Sequence, residues 1–246
     1  MTAESLKGRV AIVTGSGHGL GASLARAAAA RGAAVVVNCR SDGVRAQTLA
    51  DELGREGGRA LAVRADVADY EQAGALVGEA LHAFGRIDVL FNTVGAFLWK
   101  PVADLDPREW RATVSSNLDS VFNMCRLVLP PMRQSRYGRI VSFGAVGAER
   151  ALGQPEVAAY SAAKAAVIAF SRALALEEAR GGITVNVVCP GVFVDGDEAA
   201  PYVVQRVPVG RAGTHEDIVR AALFFASPAA DFVTGQVLSV AGGEGL

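Results

Sequence analysis

Seven short apolar runs punctuate the chain: Val10–Val13, Ala33–Val37, Arg59–Val63, Val89–Phe91, Ile140–Phe143, Ile183–Val188 and Val237–Val240. Each is rich in Val, Ile or Ala and bounded by Gly or charge. Continuous apolar runs, rather than alternating ones, mark strands buried on both faces, as in a parallel sheet. Longer amphipathic segments separate them and predict helices near Gly21–Arg31, Val44–Glu56, Tyr70–Phe84, Pro107–Arg133, Pro155–Arg180 and His215–Ala226. Start and stop marks agree: Asp106-Pro107 opens one segment, Thr214 stands as N-cap before His215, and Gly181-Gly182 closes another. Strand and helix alternate throughout, which implies right-handed βαβ units. The predicted fold is a single α/β Rossmann-type domain over residues 1–246, a doubly wound seven-stranded parallel sheet with helices on both faces. The least regular stretch, Pro190–Pro208, reads as a loop at a functional site.

Composition narrows the function classes. A net charge of -1 with scattered Arg residues gives no electrostatic footprint for nucleic acid or an anionic membrane surface. The amino-terminal residues lack the apolar core of a signal peptide, and no run approaches the ~18 apolar residues of a membrane span. Cys39, Cys125 and Cys189 are far apart, as are His18, His82 and His215, so neither a disulfide framework nor a metal site is expected. The expectation is a soluble cytoplasmic protein without metal.

Three stretches carry candidate chemistry. The first run passes directly into Thr14-Gly15-Ser16-Gly17-His18-Gly19-Leu20-Gly21 and then an Ala-rich helix. Glycines between a strand and a helix let the backbone approach a pyrophosphate at the positive helix end. At the end of the second run, Asn38-Cys39-Arg40-Ser41 offers no carboxylate for a ribose 2′-hydroxyl, but an Arg and a hydroxyl suited to a 2′-phosphate. NADPH is therefore expected over NADH. The third stretch, Val157 to Ala166, places Tyr160 and Lys164 four residues apart, on one face of a predicted helix. That pair reads either as packing with a snorkelling Lys or as a phenol activated by a neighbouring cation.

These stretches, with Asn92-Thr93-Val94-Gly95, Asn117 and Pro190-Gly191, occur in the order found in short-chain dehydrogenases/reductases. The chain resembles that family over essentially its whole length, nearest its 3-oxoacyl-carrier-protein-reductase-like branch. The resemblance implies that Tyr160 gives a proton to a substrate carbonyl oxygen. It further implies that Lys164 lowers the Tyr160 pKa and holds the nicotinamide ribose, and that Asn117 supports a relay water. Asp66 and Val67 match the pair that contacts adenine; Asn92 and Gly95, with Pro190 and Gly191, match cofactor-lining turns. Relatives pair through two long helices, which implies a homotetramer or homodimer acting on a small-molecule carbonyl substrate.

The chain departs from the family pattern at Ala145, which stands where a serine hydroxyl usually orients the carbonyl, and the segment from there to Tyr160 is about two residues longer than usual. Ser142, Glu149, Arg150 and Gln154 are the candidate substitutes. Thr93-Val94 replaces Asn-Ala, and no Thr follows Pro190-Gly191 closely. The expected activity is reduction of a carbonyl, with a cyclic or bulky ketone favoured by a short site loop. The alternatives are an NADPH-binding protein without turnover, or a lyase or isomerase using Tyr160 as base. Phe97 and Trp99 read as a substrate wall or as packing. The acidic group Asp195, Asp197 and Glu198 reads as solvated surface, and the closing tail as a subunit contact.

Overall fold

A computed structural model describes residues 5–193 and 205–245. The apolar runs form β1 (Val10–Val13), β2 (Ala34–Cys39), β3 (Arg59–Arg64), β4 (Val89–Asn92), β5 (Gly138–Phe143), β6 (Ile183–Pro190) and β7 (Val237–Val240). They join one sheet in the order β3-β2-β1-β4-β5-β6-β7, and every pairing is parallel. Helices α1 (Gly19–Ala30), α2 (Gly43–Arg55) and α7 (His215–Ala226) cover one face. The other face carries α3 (Tyr70–Phe84), α5 (Ser120–Ser135) and α6 (Ala158–Glu178), while α4 (Pro107–Val114) leads into α5. Adjacent strand residues alternate between the two cores: Val13, Val35 and Phe91 face the first, Ile12, Val36 and Leu90 the second. Burial on both sides is what made each of the five inner strands a continuous apolar run, whereas the edge strands β3 and β7 are mostly half-buried or exposed. Phe91 is fully buried at the centre of the first core, where truncation to Ala costs about 3–5 kcal/mol.

The start marks work as the sequence indicates. Asp106 and Glu109 form a capping box at α4, Thr214 and Asp217 another at α7, and Gly182 closes its turn in the left-handed region. Two expectations need correction. Pro107–Arg133 is not one regular helix: a π-helical turn, Ser115–Asp119, separates α4 from α5. A π turn absorbs one extra residue and turns the side chains that follow it. Helix α6 and its 3₁₀ extension, Ala158–Gly181, are long and apolar enough to cross a membrane by length and composition, contrary to the expectation from apolar runs. Val167, Leu174 and Ala175 of this helix are packed into the second core.

The strand order reverses beside β1, whose neighbours are β2 and β4. In open α/β sheets, ligands bind outside the carboxyl ends of the strands at such a switch point.

Candidate functional site

The loop Thr14–Gly21 fills this switch point. Gly21 lies so close to the loop that a Cβ there would stand 2.6 Å from the Gly15 carbonyl oxygen, so only glycine lets α1 start against it. Beneath the loop, Ser16 is buried; its hydroxyl donates to the Val13 carbonyl (2.7 Å) and accepts from the Asn38 N–H (3.0 Å). The Asn38 side chain accepts from the Gly15 N–H (3.1 Å) and donates to the carbonyls of Val63 (3.2 Å) and Ala65 (3.0 Å). These two residues, expected to touch a cofactor, spend their side chains on tying the loop to β1, β2 and the end of β3. Leu20 packs partly buried against the first core. At the head of α1, His18 makes no side-chain capping bond and the first turn holds no acidic residue. The first-turn N–H groups therefore have no side-chain cap, as an anion-binding helix end requires.

A cleft of about 320 Å³ runs along the loop. It brings together Gly15, Gly17 and His18, the β2 tip at Asn38, Arg40 and Ser41, and Asp66 and Val67 after β3. Thr93 and Gly95 after β4 complete it, with Ser116 from the π turn. Arg40 is exposed, its Nη1 standing 3.9 Å from Asp66 Oδ2. Asp42, two residues on, is occupied as the cap of α2 and as partner of Arg45 (2.9 Å). Sequence reasoning missed Thr93 as a lining residue and Ser116 altogether; the latter faces the cleft through the π turn, which carries no compositional mark.

Gly95 marks where the catalytic candidates meet. A Cβ there would stand 2.3 Å from Asn117 Oδ1 and 3.2 Å from Lys164 Nζ, so both groups border the space that the glycine leaves. Asn117 sits in the π turn, and its amide donates to the carbonyls of Ala96 and Thr113, both at 2.9 Å. Its Oδ1 is buried without a partner, a polar atom aimed into that space. Lys164 donates to the Phe143 carbonyl (2.8 Å), which pins the ammonium beside β5. Its Nζ lies 5.5 Å from the Tyr160 ring centroid. Burial pushes the Lys164 ammonium down to about 8 and the Tyr160 phenol up to about 12. The expected lowering of Tyr160 by its neighbour thus does not outweigh desolvation, because the charged form of either group is poorly solvated here.

Asn92 stands below the cleft, its amide donating to Ser142 Oγ (3.2 Å) and to Cys125 Sγ. Ser142 is fully buried in β5, where its Oγ accepts the Asn92 amide, and it does not line the cavity with Ala145, which argues against it as a substitute for the hydroxyl absent there. Pro190 ends β6, and Gly191 packs against Ala241 and Glu244. Cys189 is buried with its thiol pushed up to about 12, an unreactive thiol.

Tyr160 also lines a second cavity of about 240 Å³, with Ala145, Gly147, Gln154, Arg206 and Glu244. Glu244 accepts the Val192 N–H (2.9 Å) and stands 3.5 Å from Arg206. Gly245 accepts a hydrogen bond from Arg150. Glu244 and Gly245 of the carboxyl-terminal tail thus fold onto their own chain's cavity. Glu149 faces Arg150 at 3.6 Å, and its Oε2 is buried without a partner. Phe97 meets the Tyr160 ring edge-on at 4.9 Å, and Trp99 donates to Glu156, which clasps this wall to the turn before α6. The group Asp195, Asp197 and Glu198, and most of the loop Pro190–Pro208, lie outside the described residues.

A parallel sheet with a glycine loop at its switch point, and Tyr160, Lys164 and Asn117 gathered beside it, defines a nucleotide-dependent Rossmann-fold enzyme. Residues 15–244 match the family model described as enoyl-(acyl carrier protein) reductase. The chain is 36% identical to 3-oxoacyl-[acyl-carrier-protein] reductase FabG of Escherichia coli, covering 97% of this chain and 98% of the relative. It is 37% identical to the (2S)-[(R)-hydroxy(phenyl)methyl]succinyl-CoA dehydrogenase subunit BbsD of Thauera aromatica, covering 98% of each. The crystal structure of a gluconate 5-dehydrogenase from Burkholderia cenocepacia, in complex with NADP and tartrate, superposes with a TM-score of 0.91 at 37% identity, covering 98% of this chain and 96% of that one. The chain belongs to the short-chain dehydrogenase/reductase family, and is an oxidoreductase that uses a nicotinamide cofactor on carbonyl or alcohol groups.

Proposed function

We propose that the protein is an NADPH-dependent ketoreductase in which Tyr160 delivers a proton to the substrate carbonyl oxygen. The observation that carries this reading is the convergence of Lys164 Nζ and Asn117 Oδ1 on the space at Gly95, one helical turn from a Tyr160 that lines a separate cavity. The cradle fits a dinucleotide: a loop against which a Cβ at Gly21 would clash, an uncapped helix start, and an orphaned Asn117 oxygen. The α1 N–H groups would meet the pyrophosphate, Asp66 and Val67 the adenine, and Arg40, Ser41 and His18 a 2′-phosphate.

When bound, the reduced nicotinamide supplies a hydride to the carbonyl carbon. Tyr160 stays protonated at neutral pH because its pKa lies far above it, and so holds the proton that the forming alcohol needs. Lys164, fixed by the Phe143 carbonyl, places its charge where a phenolate forms as that proton leaves. Asn117 Oδ1 accepts a hydrogen bond from a water that returns the proton. The second cavity carries Arg206 and Glu244, which favours a ketone with polar substituents.

The test follows NADPH absorbance against a panel of polar, cyclic and acyl-thioester ketones. Tyr160→Phe is expected to abolish turnover while NADPH affinity is kept, and Arg40→Asp to weaken NADPH at least tenfold while sparing NADH. Tight NADPH binding with no turnover of any ketone would instead support a sensor, lyase or isomerase.

A further inference from the structure

Charge grows on a carbonyl oxygen while its carbon is reduced, and one donor seldom carries it alone; a second donor fixed in place contributes about 10²–10³ in rate. The wall of the second cavity beside Tyr160 is Ala145, whose side chain has no donor. We infer that Gln154 supplies this second hydrogen bond, its carboxamide N–H donating to the carbonyl oxygen that Tyr160 protonates. The inference rests on the ketoreductase reading above.

The polar side chains around the cavity leave few alternatives. Arg206 stands 3.5 Å from Glu244 with most of its side chain in solvent, and Glu244 accepts the Val192 N–H. Arg150 is occupied by the Gly245 carbonyl and by Glu149. Ser142 lies within β5, bound by Asn92. Among the described residues, Gln154 and Ser161 line the cavity and spend no side-chain hydrogen bond on the protein. Ser161 lines the cavity as well, but it directly follows Tyr160 on α6, about 100° round the helix, with a short side chain. Gln154, an exposed residue, stands in the segment between β5 and α6 that also carries Ala145, and both line one cavity with Tyr160. Its turn is held from outside, since the next residue but one, Glu156, takes the Lys100 N–H (2.5 Å) on its carbonyl and the Trp99 indole on its carboxylate.

The chemistry balances without transfer to Gln154: the carbonyl carbon gains a hydride, the oxygen gains the Tyr160 proton, and Gln154 only donates a hydrogen bond. The test takes a ketone that the wild type reduces and compares Gln154→Leu, Ala145→Ser and the double variant Ala145→Ser/Gln154→Leu. Gln154→Leu is expected to lower kcat by about 10²-fold with NADPH affinity unchanged. A hydroxyl at position 145 is expected to recover at least tenfold of that loss in the double variant, which a merely structural glutamine would not allow. Undiminished kcat in Gln154→Leu, or a loss that the hydroxyl does not recover, overturns the inference and leaves the Tyr160 reading intact. A wild type that reduces no ketone overturns both.

Discussion

At the scale of the residue, the site keeps a charged group where solvent is absent. Lys164 titrates near 10.5 when unfolded and near 8 in the fold. Between those values the unfolded chain binds the extra proton, so stability rises with pH across that window. Below about 8, both states hold the proton and the full burial cost is present, about 3 kcal/mol for such a shift. Lys164→Met is therefore expected to stabilise the cofactor-free protein at pH 7 in urea melts, with the gain vanishing toward pH 10.5, while turnover is lost. A variant no more stable than wild type at pH 7 would show that the bond to the Phe143 carbonyl already offsets the burial. The spacing of Tyr160 and Lys164 was legible from the chain alone. What was not legible is which term dominates, because i,i+4 spacing says nothing about solvent. Likewise, a sequence cannot show that Ser142 and Ser16 turn their hydroxyls inward, or that Glu244 comes back from the tail to the Val192 N–H.

At the scale of the element, the inner strands and the caps were readable because each has a local cause: apolar burial on two faces, or an Asp or Thr beside the first N–H groups. The π turn at Ser115–Asp119 was not, since its residues Ser-Ser-Asn-Leu-Asp include no Gly or Pro to mark a break in the helix. It nevertheless matters, because it carries Asn117 toward Gly95 and Ser116 toward the cleft. On the opposite side of the cleft, Asn38 ties three elements together: the glycine loop, β2 and the end of β3. Asn38→Ala leaves the Gly15 N–H and the carbonyls of Val63 and Ala65 without this partner. Each unsatisfied buried group costs about 1–3 kcal/mol, so the variant is expected to lose at least 2 kcal/mol in denaturant unfolding and to bind NADPH more weakly. Full stability with weakened binding would instead place the Asn38 amide in direct contact with the cofactor.

At the scale of the whole molecule, the two cores account for the monomer, yet the surface retains apolar groups that they do not use. Phe122 on α5 and Phe170 on α6 meet edge-on with ring centroids 6.2 Å apart, and Phe122 remains 48% exposed. Leu176, farther along α6, is 84% exposed. Both helices bury their opposite faces against the sheet, through Met124 and Val128 on α5 and Val167 and Leu174 on α6. Phe122, beside the partly buried Phe170, is thus an exposed apolar group on the two helices through which the family resemblance implies subunit pairing. Single exposed apolar residues need no explanation, but a contiguous patch on adjacent helices points to a contact. A second copy presenting the same patch across a twofold axis would bury it against itself, since isologous contacts need only one self-complementary surface. Sedimentation is expected to give a dimer or tetramer for the wild type, and Phe122→Glu a smaller species, because two carboxylates would meet across the axis. Retention of the wild-type mass by Phe122→Glu, with the fold intact, would move the contact away from α5 and α6. The exposed Phe224 on α7 and Leu238 on the edge strand β7 would then be the next faces to vary.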